Sequence, residues 1–216
     1  MFSNKTEQYK AEWQQLIQAG MKRKYKAGDV IYIQGGKEAG LVCITKGRVK
    51  NCIYFSNGSE KLICILEAPS ITGETSIIDD KGSIVSTEAL TDTEVFVVST
   101  STIKKMLEQN PRLMMFLLEC NAEKMRALQF QAENIRLNTR QKLARLLINF
   151  QVSGVHTKGT ETNVITMTHE QLADFLGTTR PKITEALNEF EKEGYIKKNR
   201  GSIKILKYDG LAAICR

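Results

Sequence analysis

Among 216 residues the chain has two histidines, His156 and His169, one tryptophan and three prolines. No apolar run approaches the ~18 residues that a membrane span needs. The N-terminal MFSNKTEQYKAEWQQL also lacks the apolar core of a secretory signal. A cytoplasmic protein with no membrane partner is therefore expected. The five cysteines (Cys43, Cys52, Cys64, Cys120, Cys215) are scattered, and none forms a C-x-x-C pair. Free thiols in a reducing compartment follow from that pattern, with a Cys43–Cys64 redox pair on neighbouring strands as the alternative. The sequence has no glycine-rich phosphate loop, no metal-ligand cluster and no Ser/His/Asp or Cys/His set with a local signature. No cofactor or metal is expected. Enzyme chemistry is disfavoured too, although catalytic groups far apart in sequence would leave no such signature.

The charge that is present is unevenly placed. From Asn138 onward, 13 Lys/Arg stand against 8 Asp/Glu, whereas residues 1–137 carry 18 against 16. The basic surplus thus falls mainly in the last third, where a nucleic-acid-binding module would need it. A scattered solvated surface would give the same sum, so charge alone does not single out such a module.

Residues about 22–100 read as short strands separated by turns: VIYI, LVCI, VKNCIYF, KLICIL, SIVSTEAL and EVFVV. In YFSNGSEKL, Asn57-Gly58 suggests a tight type I′ hairpin. The expectation is a small β-barrel or double-sheet jelly roll. From Thr100 the pattern becomes helical, with Ser101 or Thr102 as the cap of a short helix that ends near Asn110-Pro111. A long segment without internal glycine or proline follows, and Met114, Leu118, Asn121, Met125, Leu128, Ala132 and Ile135 recur in it at alternating spacings of 4 and 3. That is a heptad seam with one polar member, suited to a parallel two-helix contact between subunits. The opposite face (Leu113, Phe116, Leu117, Cys120) would then lie on the barrel. Packing of the whole helix on its own barrel is the other reading. These signals divide the chain into residues 1–110 (barrel with flanking helices), 111–137 (dimerisation helix) and 138–216 (a basic C-terminal unit). Within the last, GVHTKGTETN reads as a polar loop.

The motif that carries chemistry is MTHEQLADFLGTTRPKITEALNEF. Thr168 and Gln171 are spaced for a capping box before a first helix, and Gly177 permits a sharp turn. A second helix runs from about Arg180 to Glu193. Leu172, Leu176, Ile183, Leu187 and Phe190 would hold the two helices crossed, as in a helix-turn-helix. YIKKNRGSIKIL would add a hairpin wing. The outward face of the second helix then offers Arg180, Pro181, Thr184, Glu185 and Asn188 to base edges. Arg180 suits guanine, Glu185 cytosine, and Pro181 or Thr184 a thymine methyl. Thr168, His169, Thr178, Thr179, Lys182, Lys197, Lys198 and Arg200 are placed to hold phosphates, which positions a protein without reading sequence. Two caps fit the second helix: Thr179, with Pro181 inside the first turn, or Arg180, with Pro181 as first helical residue.

In this order, barrel, long helix and winged helix-turn-helix resemble the CRP/FNR family of bacterial transcription regulators, from about Tyr25 to Leu206. YKAGDVIYIQGG, the GETS of residues 73–76 and MTHEQLADFLGTTRPKITEALNEFEKEGYI carry the likeness. The resemblance implies an α+β fold and a homodimer on a two-fold symmetric operator in double-stranded DNA. It also implies RNA polymerase as a partner, and an effector bound by the barrel. Nucleotide sensors of the family follow a Gly-Glu with an Arg-Ser pair that holds the cyclic phosphate. Gly73-Glu74 match the first element, but KGSIVSTEAL contains no arginine. A buried phosphate without a charged partner binds poorly, so cyclic AMP is disfavoured. The iron–sulfur branch needs cysteines near the N-terminus, and none precedes Cys43. The haem branch needs axial ligands in the barrel, which has no histidine. A small, mostly apolar effector remains, or none. FSNGSEKLICIL is similar to the branch that senses halogenated phenols. Ile65, Gly73, Glu74, Thr75, Ser86, Lys124 and Leu128 are the candidate lining, with Lys124 the group to pair with a phenolate. A nucleotide-binding module regulating an attached enzyme is the alternative class, and the C-terminal winged unit argues against it.

Overall fold

The computed structural model describes residues 2–36, 40–79, 81–149, 163–199 and 201–215. Most of the expected loop GVHTKGTETN, with His156, lies outside the described residues, as does the wing residue Arg200. The chain divides into two compact units, Met1–Met125 and Arg126–Arg216, and the division falls inside the long helix rather than at either of its ends.

In the first unit, helices α1 (Phe2–Gln8) and α2 (Lys10–Ala19) precede the strands. These are β1 (Met21–Tyr25), β2 (Val30–Tyr32), β3 (Gly40–Lys46), β4 (Arg48–Tyr54), β5 (Glu60–Glu67) and β6 (Ser70–Thr72), then α3 (Glu74–Asp79), β7 (Ser86–Ala89) and β8 (Thr93–Ser99). The strands pair antiparallel in two sheets, ordered β1-β8-β3-β6 and β2-β7-β4-β5, which is the expected double-sheet roll. Val49 and Leu66 from one sheet and Val42, Ile44, Val95 and Val98 from the other share one core. The β4–β5 connection differs from the expected type I′ turn. Gly58 N–H donates to the Phe55 carbonyl at 2.9 Å, Phe55 N–H donates to the Ser59 carbonyl at 2.9 Å, and Gly58 has φ +80°. That is a three-residue loop closed by a glycine bulge, in which Asn57 serves through its side chain. The Asn57 Oδ1 accepts from Ser59 N–H at 3.0 Å.

Helix α4 (Thr100–Gln109) follows, and its cap is Ser99 rather than Ser101 or Thr102, because the Ser99 hydroxyl accepts from Thr102 N–H. The extended backbone needed at a cap is supplied by the last residue of β8, so Ser101 and Thr102 fall inside the first turn. Asn110 then caps α5 (Pro111–Glu133) by accepting from Leu113 N–H at 3.1 Å, with Pro111 opening the helix where its missing donor costs nothing. Leu113, Phe116, Leu117 and Cys120 are buried in the barrel's core cluster, as the heptad reading required. The leucines and the phenylalanine each contribute roughly 1.5–3 kcal/mol. Helices α1 and α2 add polar ties to the same helix. Tyr9 Oη donates to Glu119 at 2.7 Å, and Arg112 Nε donates to the buried Glu12 at 2.9 Å.

In the second unit a 3₁₀ turn (Asn134–Arg136) leads to α6 (Thr139–Asn149). Next come β9 (Val164–Ile165), α7 (His169–Leu176), α8 (Arg180–Lys192), β10 (Ile196–Asn199), β11 (Ser202–Ile205) and α9 (Tyr208–Ile214). The wing hairpin β10–β11 is joined by β9, a third strand too short to announce itself in sequence.

Cys43 on β3 and Cys64 on β5 belong to different sheets that share no strand pairing, which corrects the neighbouring-strand redox pair. Burial also pushes the Cys64 thiol up to about 11, so little thiolate exists for exchange at neutral pH.

Candidate nucleic-acid interface

The two-helix motif forms as its residues dictate. Thr168 and Gln171 make the reciprocal capping box, with bonds of 3.1 and 3.0 Å. Gly177 ends α7 at φ +62°, a left-handed conformation that a side chain would strain. Leu172, Leu176, Ile183, Leu187 and Phe190 are all buried and cross the helices. Thr179 is the cap of α8, so Arg180 opens the helix with Pro181 inside its first turn, which settles the choice between the two caps. From behind, Arg140 of α6 pairs with Glu189 of α8 and with its C-cap Glu193, and lies over the Phe190 ring at 5.0 Å. The outward face of α8 is thereby held against a fixed support.

That face presents Arg180, Pro181, Thr184, Glu185 and Asn188 along one shallow groove. Arg180, Pro181, Lys182 and Glu185 are exposed, and so are Thr179 and Lys197. The Arg180 side chain is 69% accessible, with only a 4.0 Å approach to Glu170. The other candidates already have partners within the unit. Thr184 donates to the Arg180 carbonyl at 3.0 Å and meets His169 Nδ1 at 2.9 Å. Thr178 bonds Thr139 at 3.1 Å, and Thr168 is spent on its cap. Lys198 lies 2.5 Å from Asn188 Oδ1 and 2.9 Å from Glu191, which folds an expected phosphate contact back onto α8. The sequence reading missed Glu191 and Thr139 as partners. For Glu191 the available signal was a carboxylate in the last turn of the helix that precedes the adjacent lysines of the wing strand.

Along α5 the seam residues Met114, Leu118, Met125 and Leu128 are 43–70% accessible, and Ala132 is exposed. Asn121 spends its amide on the Leu117 carbonyl at 3.0 Å. Ile135 lies in the 3₁₀ turn, where the tighter winding takes it off the seam's periodicity.

The candidate effector residues separate into two groups. Gly73, Glu74 and Thr75 open α3, and Lys124 of α5 reaches the Glu74 carboxylate at 2.7 Å and the Ile71 carbonyl at 3.0 Å. Glu74 is 3% accessible, and its second oxygen has no hydrogen-bond partner among the described residues. Lys124 is therefore not a free cation awaiting a phenolate. Ile65 and Ser86 belong elsewhere. Strand alternation puts Cys64 and Thr87 on the inner face beside Asn51, and so places Ile65 and Ser86 on the opposite face of the sheet, where both are buried. Ile65 pairs with Lys50, whose ammonium meets Glu60 and Glu88. Leu128 is among the exposed seam residues. The inner face carries a polar chain that the sequence reading overlooked. Thr87 donates to Asn51 at 2.6 Å, Asn51 donates to Thr72 at 3.2 Å, and Tyr32 bonds Thr72. A polar residue at the inward position of an otherwise apolar strand, Asn51 two after Val49, was its signal.

Comparison with known proteins agrees with this geometry. Residues 22–110 match the family model for the cyclic nucleotide-binding domain, and residues 141–214 match that for the Crp-like helix-turn-helix domain. The probable transcriptional regulator flp of Lacticaseibacillus casei is 28% identical over 88% of this chain and 84% of its own. A CRP-like cAMP-activated global transcriptional regulator of Mycobacterium tuberculosis is 23% identical over 89% of this chain and 87% of its own. The fold is that of a CRP/FNR-family transcriptional regulator from Thermus thermophilus, with a TM-score of 0.66 and 23% identity over 90% of this chain and 98% of the other.

Proposed function

The chain belongs to the CRP/FNR family of DNA-binding transcription regulators, and on that premise we propose that it works as a homodimer on two-fold symmetric duplex sites. In this reading it acts together with RNA polymerase, and a small non-nucleotide effector sets its grip. The observation that carries the dimer is the stripe of Met114, Leu118, Met125 and Leu128, large apolar side chains left in solvent on one face of α5. An exposed apolar stripe on a long helix marks an interaction surface, and the heptad spacing suits the same stripe of a second copy.

The Glu74–Lys124 pair supports the effector reading. A cyclic phosphate placed beside Glu74 would have to draw Lys124 away and strand a buried carboxylate, at a cost of several kcal/mol. A neutral donor such as a phenol hydroxyl would instead supply what the second Glu74 oxygen lacks. Halogenated phenols are accordingly the first class to test. The effector acts by binding one state of the dimer better than the other.

Selection of bound duplexes from a random library, repeated with halogenated phenols and with cyclic nucleotides, tests the reading. Enrichment of inverted repeats whose half-sites lie about one helical turn apart is expected. Enrichment of single half-sites overturns the dimer, and enrichment that requires a cyclic nucleotide overturns the effector class.

A further inference from the structure

His169 is the first residue of α7, half-buried where α7, α8 and the wing meet. Its Nδ1 lies 2.9 Å from the Thr184 hydroxyl oxygen. A threonine hydroxyl has one proton to give, and that of Thr184 goes to the Arg180 carbonyl at 3.0 Å. Toward His169 the same oxygen must therefore accept, which makes Nδ1 the protonated nitrogen of the neutral ring. The other nitrogen, Nε2, is then a bare lone pair. A bare lone pair repels a phosphate oxygen, whereas the imidazolium offers it a charged N–H donor.

The surroundings oppose that second proton until an anion arrives. Arg180 of α8 and Lys198 of β10 are the cations facing the ring, and Glu170 beside it is drawn toward Arg180 at 4.0 Å. Lys198 is itself held by Asn188 and Glu191. Burial first, then Lys198 and Arg180, hold the imidazole below its usual range, so the ring is neutral in the free protein at pH 7. A phosphate at this corner would compensate all three cationic groups at once.

Building on the DNA-binding role, we propose that His169 is a proton-coupled phosphate contact, which Thr184 prevents from gripping DNA in its neutral form, so that each subunit takes up a proton on binding. The sign follows from linkage. A phosphate raises the imidazolium's pKa in the complex above its value in the free protein. The extra affinity is complete below the free value and is lost as pH rises through the bound value.

The test is fluorescence anisotropy at fixed ionic strength from about pH 5.5 to pH 8.5. The probes are a random-sequence duplex of about 30 base pairs, long enough for two half-sites, and the duplex recovered by selection. Wild-type affinity should fall about three- to tenfold per subunit with rising pH. His169→Gln should be flat. His169→Arg should be flat and tight throughout, because guanidinium stays charged. Thr184→Val keeps the methyl face but frees the ring to carry its proton on Nε2, so its profile should flatten. The chain has two histidines, which makes the wild-type ring nitrogens directly assignable by ¹⁵N NMR. Nδ1–H is expected in the free protein above pH ~8, and Nε2–H there overturns the proposal whatever the variants do. A wild type that shares the pH profile of His169→Gln overturns the coupling alone. A wild type that binds neither duplex at any pH overturns the DNA-binding role and the coupling with it.

Discussion

Arg180 and Lys198 look equally available in the sequence, yet the fold treats them differently. Arg180 opens α8 with most of its side chain in solvent, while Lys198 is bound to Asn188 and Glu191. Arg180→Ala should cost about 1–3 kcal/mol and relax preference at one base position, read from binding across an operator mutant series. Lys197→Ala should weaken all sequences alike and reduce the salt slope by about 1. Lys198→Ala should reduce it by less, because its charge is already partly spent on Glu191, and equal slopes for the two variants would refute that difference. Residue types and helical periodicity were enough to place the exposed face of α8. Lys198 and Thr178, beside that face, are tied down by Glu191 and Thr139, and Thr139 lies 39 residues from its partner, beyond any local spacing.

At the scale of the element, α5 has two faces with opposite fates. Leu113, Phe116, Leu117 and Cys120 are sealed in the barrel core, whereas Met114, Leu118 and Met125 are not. Leu118→Glu should convert a dimer to a monomer in sedimentation while leaving barrel stability nearly unchanged, since the position is 51% accessible. Asn121→Leu should keep or strengthen association. The tie between α5 and α3 makes a separate prediction. Lys124→Met should destabilise the first unit by roughly 3–5 kcal/mol in urea unfolding, because it leaves Glu74 charged and buried. Adding Glu74→Gln should recover most of that loss. The heptad was legible because it is periodic along one segment. The ion pair joins residues 50 apart in sequence, so it could not be read that way.

For the molecule as a whole, the division into Met1–Met125 and Arg126–Arg216 predicts two calorimetric transitions that respond to different ligands. Duplex DNA should raise the transition of the second unit, and a true effector that of the first. Each shift corresponds to about 2.7 kcal/mol at a ligand concentration one hundred times Kd. One transition that moves as a whole with either ligand would show that the units unfold together. Among the described residues no helix is long and apolar enough to cross a membrane.

From the sequence alone came the order of sheet, long helix and winged helix-turn-helix, the buried and open faces of α5, the capping box at Thr168 and the αL turn at Gly177. Each of these follows from periodicity or from a backbone demand within a few residues. Tertiary structure decided the rest: Ser99 as the cap of α4, the bulged turn at Gly58, Ile65 and Ser86 on the far face of their sheet, Lys124 held by Glu74, and Thr184 committing its one proton to Arg180. These outcomes turn on where a side chain's hydrogen-bonding capacity is spent or which face of a sheet it takes, whether the partner is near in the chain, as for Ser99 and Thr184, or in another element, as for Lys124.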